Sequence, residues 1–203
     1  MPKISIVVPI HATMKHGDYF LWRLIQSVMT QTFKDYEIVI VQEGKMAENT
    51  NKGMRKARGE IIKILYLDDY LAHNKALQVI VDNFKAEDMW LATGCLHARS
   101  GEWYETPHSP HYPKYVEDIH AGNNQIGSPS VVAVRNEGSL LFDENLSFLL
   151  DCDLYKRYYM NYGAPKLIRD LNVVIGIHDG QTSVTMHDEE KMKEFTYMKQ
   201  KYG

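Results

Sequence analysis

The sequence predicts an α/β fold with a central, mostly parallel sheet flanked by helices. Two patterns carry that expectation. Short β-branched apolar runs read as strands buried on both faces, and the segments between them repeat their apolar residues at the spacing of one helical face. Their alternation as far as Phe84 implies right-handed crossovers and a sheet covered on both sides.

Residues 4–10 form the first apolar run, ending beyond Pro9. Residues 18–31 follow as a helix on the spacing of Phe20, Leu21, Leu24, Ile25 and Val28, with Asp18 as its expected N-cap. The pattern repeats with a strand at 36–41, a helix at 47–57, a strand at 60–67 and a helix at 74–84; Gly59 breaks helix from strand. Ligands of such sheets bind beyond the carboxyl ends of the strands, which places His11, Gln42, Glu43, Asp68 and Asp69 along one crevice. The second half is less regular. Residues 90–97 read as a strand and 100–124, rich in Pro, His, Gly and Tyr, as a long loop with short turns, a kind of segment that is often functional. Residues 131–134 read as a strand, 152–162 as a helix carrying four tyrosines and 173–177 as a last strand. Over 189–202, Met192, Phe195 and Met198 recur at helical spacing.

Composition narrows the function classes. At 203 residues the length suits one domain, expected to span 1–203, and ending in a helix it is also what a domain of a longer polypeptide would look like. Hydrophobic residues at 44% and charged ones at 24% exclude disorder and collagen-like repeats. The formal charge of −3 lacks the basic footprint of a nucleic-acid binder. Two cysteines, Cys95 and Cys152, make neither a disulfide framework nor a zinc cage, so a reducing compartment, the cytoplasm, is expected. No stretch approaches the ~20 apolar residues of a membrane span.

The sharpest local feature is Asp68-Asp69, two adjacent carboxylates directly after an apolar strand. Like charges at a buried strand end repel, so a cation or hydrogen-bond donors should share the site. A hard divalent ion, Mn²⁺ or Mg²⁺, held by one or two carboxylates plus substrate phosphates meets that need. The alternative is a capping pair before the next helix.

Segments 4–10, 27–33, 35–41, 51–53 and 57–60 resemble, in order and spacing, the nucleotide-binding half of family 2 glycosyltransferases with the GT-A fold, and Asp68-Asp69 falls at that family's DXD-type metal motif. Gly127-Ser128-Pro129-Ser130, Phe142-Asp143-Glu144, Asp151-Cys152-Asp153-Leu154 and the segment 178–183 look like its acceptor-side segments, dividing the chain into a nucleotide-sugar half, 1–98, and an acceptor-side half, 99–203. Within the family the chain is similar to domains encoded by chlorella viruses, which would place it in the host cytoplasm. The resemblance implies transfer of a sugar, glucose- or rhamnose-type, from a UDP-sugar to a hydroxyl of a glycan or glycoprotein, with inversion. It assigns Pro9, His11, Glu43, Asn51 and Asp68 to the nucleotide, Asp69 and His178 to the metal, and Asp151 to the catalytic base. Asp153 is the runner-up for the base, and a mere helix-capping role is the alternative for Asp151.

Some residues depart from the family pattern. Gln42-Glu43 stands where two Asp residues are usual, Glu43 keeping the acceptor carboxylate one methylene further out, and His11 stands where Tyr or Asn is commoner, with a plain loop histidine as the alternative to one lining the nucleotide pocket. Lys52, Arg55, Lys56 and Arg58 read as a solvated helix face rather than a diphosphate clamp. His108, His111 and His120 read as polar loop residues. Trp103 and Tyr104 either stack on a sugar or pin the loop, and the later tyrosines read as packing. A metal-dependent nucleotidyltransferase is the rival enzyme class, though no lysine-rich glycine loop follows the first strand. A binding module without turnover is the rival from another class.

Overall fold

A computed structural model describes residues 1–10, 16–99 and 107–203. His11, Trp103 and Tyr104 lie outside them. The order is β1 (Ile4–Pro9), α1 (Gly17–Met29), β2 (Tyr36–Val41), α2 (Met46–Lys56), β3 (Ile61–Ile64), β4 (Tyr70–Leu71), α3 (Ala76–Asn83), β5 (Trp90–Arg99), β6 (His108–His111), β7 (Val132–Arg135), α4 (Leu150–Tyr162), β8 (Lys166–Ile177), α5 (Thr182–Thr185) and α6 (Asp188–Tyr202). The strands form one sheet in the order β2-β1-β3-β7-β5-β8-β4, with β6 beside β5.

The α/β class expected from the sequence is the one observed, but the pairing is mixed. Strands β2, β1 and β3 are mutually parallel, and β5 is parallel to β8. Between these blocks β7 runs antiparallel to both β3 and β5, and β4 and β6 pair antiparallel at the periphery. The alternation of strand and helix that implies parallel pairing ends with β5, and β7 returns through loop rather than through a covering helix.

Local chemistry explains the element ends. His16, in the left-handed region at φ 62°, precedes α1, so Asp18 is not the N-cap; it lies in the first turn, where its charge still faces the helix dipole. β3 is shorter than its apolar run because the chain turns at Leu67–Asp68, closed by the Asp69 N–H donating to the Tyr66 carbonyl at 3.0 Å. β8 begins at Lys166, earlier than expected, because its exposed polar residues and two register shifts against β5 interrupt the apolar pattern. Two glycines allow close packing of the nucleotide half. A Cβ on Gly53 would sit 2.4 Å from Val7 Cγ1, and one on Gly59 would sit 2.6 Å from the Ser5 backbone nitrogen. Ser5 in turn receives the Gly59 N–H at 2.7 Å and donates to Glu37 at 2.7 Å.

The second half packs around aromatic rings. Tyr155 and Tyr158 are fully buried with centroids 6.0 and 5.5 Å from Trp90, and Tyr115 stacks on Tyr159 at 4.0 Å. In α6 the buried positions are Glu194 and Met198, while Met192 is exposed, so the face that packs is rotated from the apolar spacing toward a carboxylate. Among the described residues no helix is long and apolar enough to cross a membrane.

Candidate active site

The parallel register of β2, β1 and β3 brings their carboxyl ends to one edge, with Pro9 opposite Val41 and Val7 opposite Ile64. Pro9 is buried and ends β1; Glu43 lies two residues past β2, and Asp68-Asp69 close the turn after β3. With strands spaced about 4.8 Å apart, the β2 and β3 ends are separated by roughly 10 Å, with the end of β1 between them.

At the β3 end the two carboxylates differ. Asp69 is 2% exposed; its Oδ1 accepts the Gly176 N–H of β8 at 2.9 Å and its Oδ2 lies 3.4 Å from the Ser128 hydroxyl. Burial, followed by the charge of Asp68, raises its pKa. Asp68 stays at the surface of the crevice, with Oδ2 3.2 Å from His178 Nε2. His178 Nδ1 accepts the Gly180 N–H at 3.1 Å, so Nε2 carries the proton and donates to Asp68. The strand β8 thus delivers its apolar end into the sheet and His178 onto the acidic pair, 110 residues away in sequence.

The two carboxylates are the oxygen donors a hard divalent ion would use, and the His178 imidazole would join them only by giving up its Nε2 proton and the Gly180 N–H. Among the described residues no group of three or more His, Cys, Asp or Glu side chains is placed to hold a metal ion. An ion here would take its remaining ligands from substrate and water.

Two residues of this region escape a reading by spacing. Arg23 of α1 is 9% exposed, donates from Nη2 to the Asp68 carbonyl at 2.5 Å, and lies 4.4 Å from the Tyr70 ring centroid. Its neighbour Phe20 packs 5.6 Å from the His178 ring. Lys63, in the middle of β3, is fully buried, and its ammonium meets the carbonyls of Ile64 (3.0 Å), Ser130 and Val132 (3.4 Å). Burial lowers its pKa while the charge of Asp69 opposes the shift. An Arg among helical apolar residues and a Lys within a strand carry no sequence signal of burial; only their neighbours in space reveal it.

Asp151 lies at the start of α4, partly buried. Its Oδ1 accepts the Cys152 N–H at 2.7 Å and its Oδ2 the Asn124 amide at 2.8 Å. Burial pushes its carboxyl up to about 6, and those two donors pull against that rise. The helix end therefore does not dominate its ionisation, although the group is still charged at neutral pH. Asp151, Asp69 and Asp68 all act electrostatically on the buried Tyr66 phenol, whose pKa burial raises. Asp153 is on the other side of α4, its side chain wholly buried against Arg157 (2.7 Å), Lys201 (2.7 Å) and the Tyr202 hydroxyl (2.6 Å). Two cations and a phenol hold it away from the crevice.

Two sequence-assigned nucleotide residues stand differently. Asn51 is 1% exposed; its Nδ2 donates to the Phe142 carbonyl and to Glu144 Oε1, both at 2.9 Å, and its Oδ1 accepts the Phe142 N–H at 2.7 Å. It clamps α2 to the 142–144 segment, so the expectation of a nucleotide contact gives way to a structural role, because both amide hydrogens are committed. Glu43 is exposed and accepts from Lys52 at 3.0 Å, which holds its carboxyl below the usual range. Its carboxylate faces solvent and is free to accept from a ligand.

No protein-family model matches the chain, and no curated relative matches it. Solved structures do. TarS of S. aureus aligns over 97% of this chain and 39% of its own at 15% identity, with a TM-score of 0.67. Its 1–349 fragment in complex with UDP-GlcNAc aligns over 97% and 66% at 14% identity, TM-score 0.63. The mannosyltransferase PcManGT of Pyrobaculum calidifontis, in complex with GDP-Man and Mn²⁺, aligns over 100% and 65% at 13% identity, TM-score 0.64. At these identities the likeness defines the architecture: the fold is the GT-A fold of nucleotide-sugar glycosyltransferases. The chain spans less than two thirds of the length of each of these structures.

Proposed function

We propose that the chain is a metal-dependent inverting glycosyltransferase that moves a sugar, glucose- or rhamnose-type, from a UDP-sugar to a hydroxyl of a glycan or glycoprotein. The observation that carries the reading is the pairing of Asp68 with His178 beside the buried Asp69 at the carboxyl edge of a GT-A sheet. The bound UDP-GlcNAc and the bound GDP-Man with Mn²⁺ in the structural neighbours support the donor class and the metal.

Asp69 and His178 hold a Mn²⁺ or Mg²⁺ ion, with Asp68 sharing it or turning to the ribose. Such an ion offsets negative charge on the departing diphosphate more in the transition state than in the ground state. Glu43 accepts the N3–H of uracil, and Pro9 at the end of β1 lies beside the nucleotide. Asp151 takes the proton of the acceptor hydroxyl as that oxygen attacks the face opposite the diphosphate. A pKa of about 6 suits the task, since the carboxylate is mostly ionised at pH 7 and still basic enough to hold the proton. Asn124 fixes the Oδ2 side of that carboxylate.

Calorimetry with UDP tests the site. UDP is expected to bind in Mn²⁺ and far more weakly in EDTA, and Asp69→Asn and His178→Ala should each remove most of the metal-dependent affinity. Equal UDP affinity with and without Mn²⁺ would sink the metal reading. Mass spectrometry in Mn²⁺ separates the classes: UDP released from UDP-glucose for transfer to water or acceptor, pyrophosphate released from UTP with glucose 1-phosphate for nucleotidyl transfer, neither for a binding module.

A further inference from the structure

The start of α4 has no side-chain cap of its own. The N-cap is Leu149, which makes no side-chain hydrogen bond. The backbone N–H groups leading into the helix are taken instead by one residue of α6. Glu194, 8% exposed, accepts the Ser147 N–H on Oε1 at 2.8 Å, and the Phe148 and Leu149 N–H groups on Oε2 at 2.9 and 2.8 Å. The carboxylate is thus the acceptor for three consecutive donors immediately before the turn that bears Asp151. Asp151 accepts the Cys152 N–H, three residues further on, at 2.7 Å. Two carboxylates 43 residues apart share one helix start, which sets the pitch at which the first turn of α4 presents Asp151. The other end of α6 is locked to the same half by Lys201, which bridges Asp143 and Asp153 at 2.7 Å each.

We propose that Glu194 is a positioning residue for the base: through the 147–149 backbone it fixes where the Asp151 carboxylate stands in the crevice, so that α6 is part of the catalytic apparatus although it touches no substrate. The inference rests on the assignment of Asp151 as base. It goes beyond it by making turnover depend on a distant helix. Displacing a reacting group by about 1 Å can cost on the order of 10²-fold in rate, so a partial loss of the clamp should be visible without unfolding.

The test uses the full chain in Mn²⁺, following UDP release from UDP-sugars, starting with UDP-glucose, with water as acceptor, alongside UDP affinity by calorimetry. Glu194→Gln cannot accept three N–H groups on an anionic carboxylate, and it should lower UDP release about tenfold with UDP affinity unchanged. Glu194→Asp keeps the charge and shortens the reach; it should be intermediate, and it stands in if the glutamine variant does not fold. The decisive measurement is the double variant. If Glu194 acts through Asp151, Glu194→Gln adds no further loss to Asp151→Asn, whereas independent effects multiply. Multiplying losses, a parallel fall in UDP affinity, or parental UDP release in both Glu194 variants would overturn the proposal. Unchanged release in Asp151→Asn alone would instead remove the base assignment, and this inference with it.

Discussion

Replacing Asn51 by alanine separates a structural clamp from a nucleotide ligand. The side chain makes three hydrogen bonds to the 142–144 segment, two of them to the N–H and C=O of Phe142, which is 3% exposed. Without Asn51 both backbone groups lose their partner in a site that water reaches poorly, at about 1–3 kcal/mol each. Glu144 is exposed enough to rehydrate and adds little. A loss of about 4 kcal/mol is therefore expected, which for a domain of this size lowers Tm by roughly 8–16 °C. Differential scanning calorimetry reads that shift, and titration of UDP in Mn²⁺ well below the lowered Tm reads the site. The expected pair of results is a much reduced Tm with UDP affinity within about twofold of the parent. An unchanged Tm together with lost UDP affinity would refute the reasoning, because it would mean that the amide meets the nucleotide rather than Phe142.

Asp151→Asn should reduce UDP release by about 10²- to 10⁴-fold with UDP binding retained, and in the parent the acid limb of the rate profile should fall near pH 6, where the carboxylate gains its proton. A parental rate in the variant, or a profile flat between pH 5 and 7, removes it as base. Glu43→Gln should narrow the preference for UDP over CDP, since cytosine lacks the N3–H that a carboxylate receives; CDP binding the parent as tightly as UDP contradicts the assignment. Glu37 is held to a pKa of about 2: burial pushes it upward, but Arg58 and Ser5 outweigh that by hydrogen bonding to the charged form. Because the folded pKa is depressed, its contribution to stability is complete above about pH 4.5 and fades as the pH falls toward 2. Thermal melts should show Glu37→Gln losing less stability than the parent across that window, and identical acid curves would exclude the effect.

The sequence by itself carried the parallel first half of the chain, because burial on both faces of a parallel sheet writes itself as unbroken apolar runs and the crossover helices as a 3.6-residue repeat. Strands β1 and β2, the helix α2 and the acidic pair after β3 were legible for that reason. Their meeting at one edge follows from the handedness of crossovers. His178 could be singled out as a residue after an apolar strand, but its pairing with Asp68 rather than Asp69 follows from the turn at Leu67–Asp68, which buries Asp69 fully and Asp68 only in part. That Asp153 is taken up by Arg157, Lys201 and Tyr202 while Asp151 is not was likewise invisible in a sequence where they stand two residues apart. Asn51, Lys63, Arg23 and Glu194 show the same limit most clearly. Each is a polar residue whose type suggests solvent, and each is buried because backbone donors or acceptors from segments distant in sequence satisfy it. Apolar burial leaves a periodic trace along the chain, since it depends on which face a residue occupies. Polar burial depends on a partner's position in space, and that is set only when the sheet, α4 and α6 close on one another.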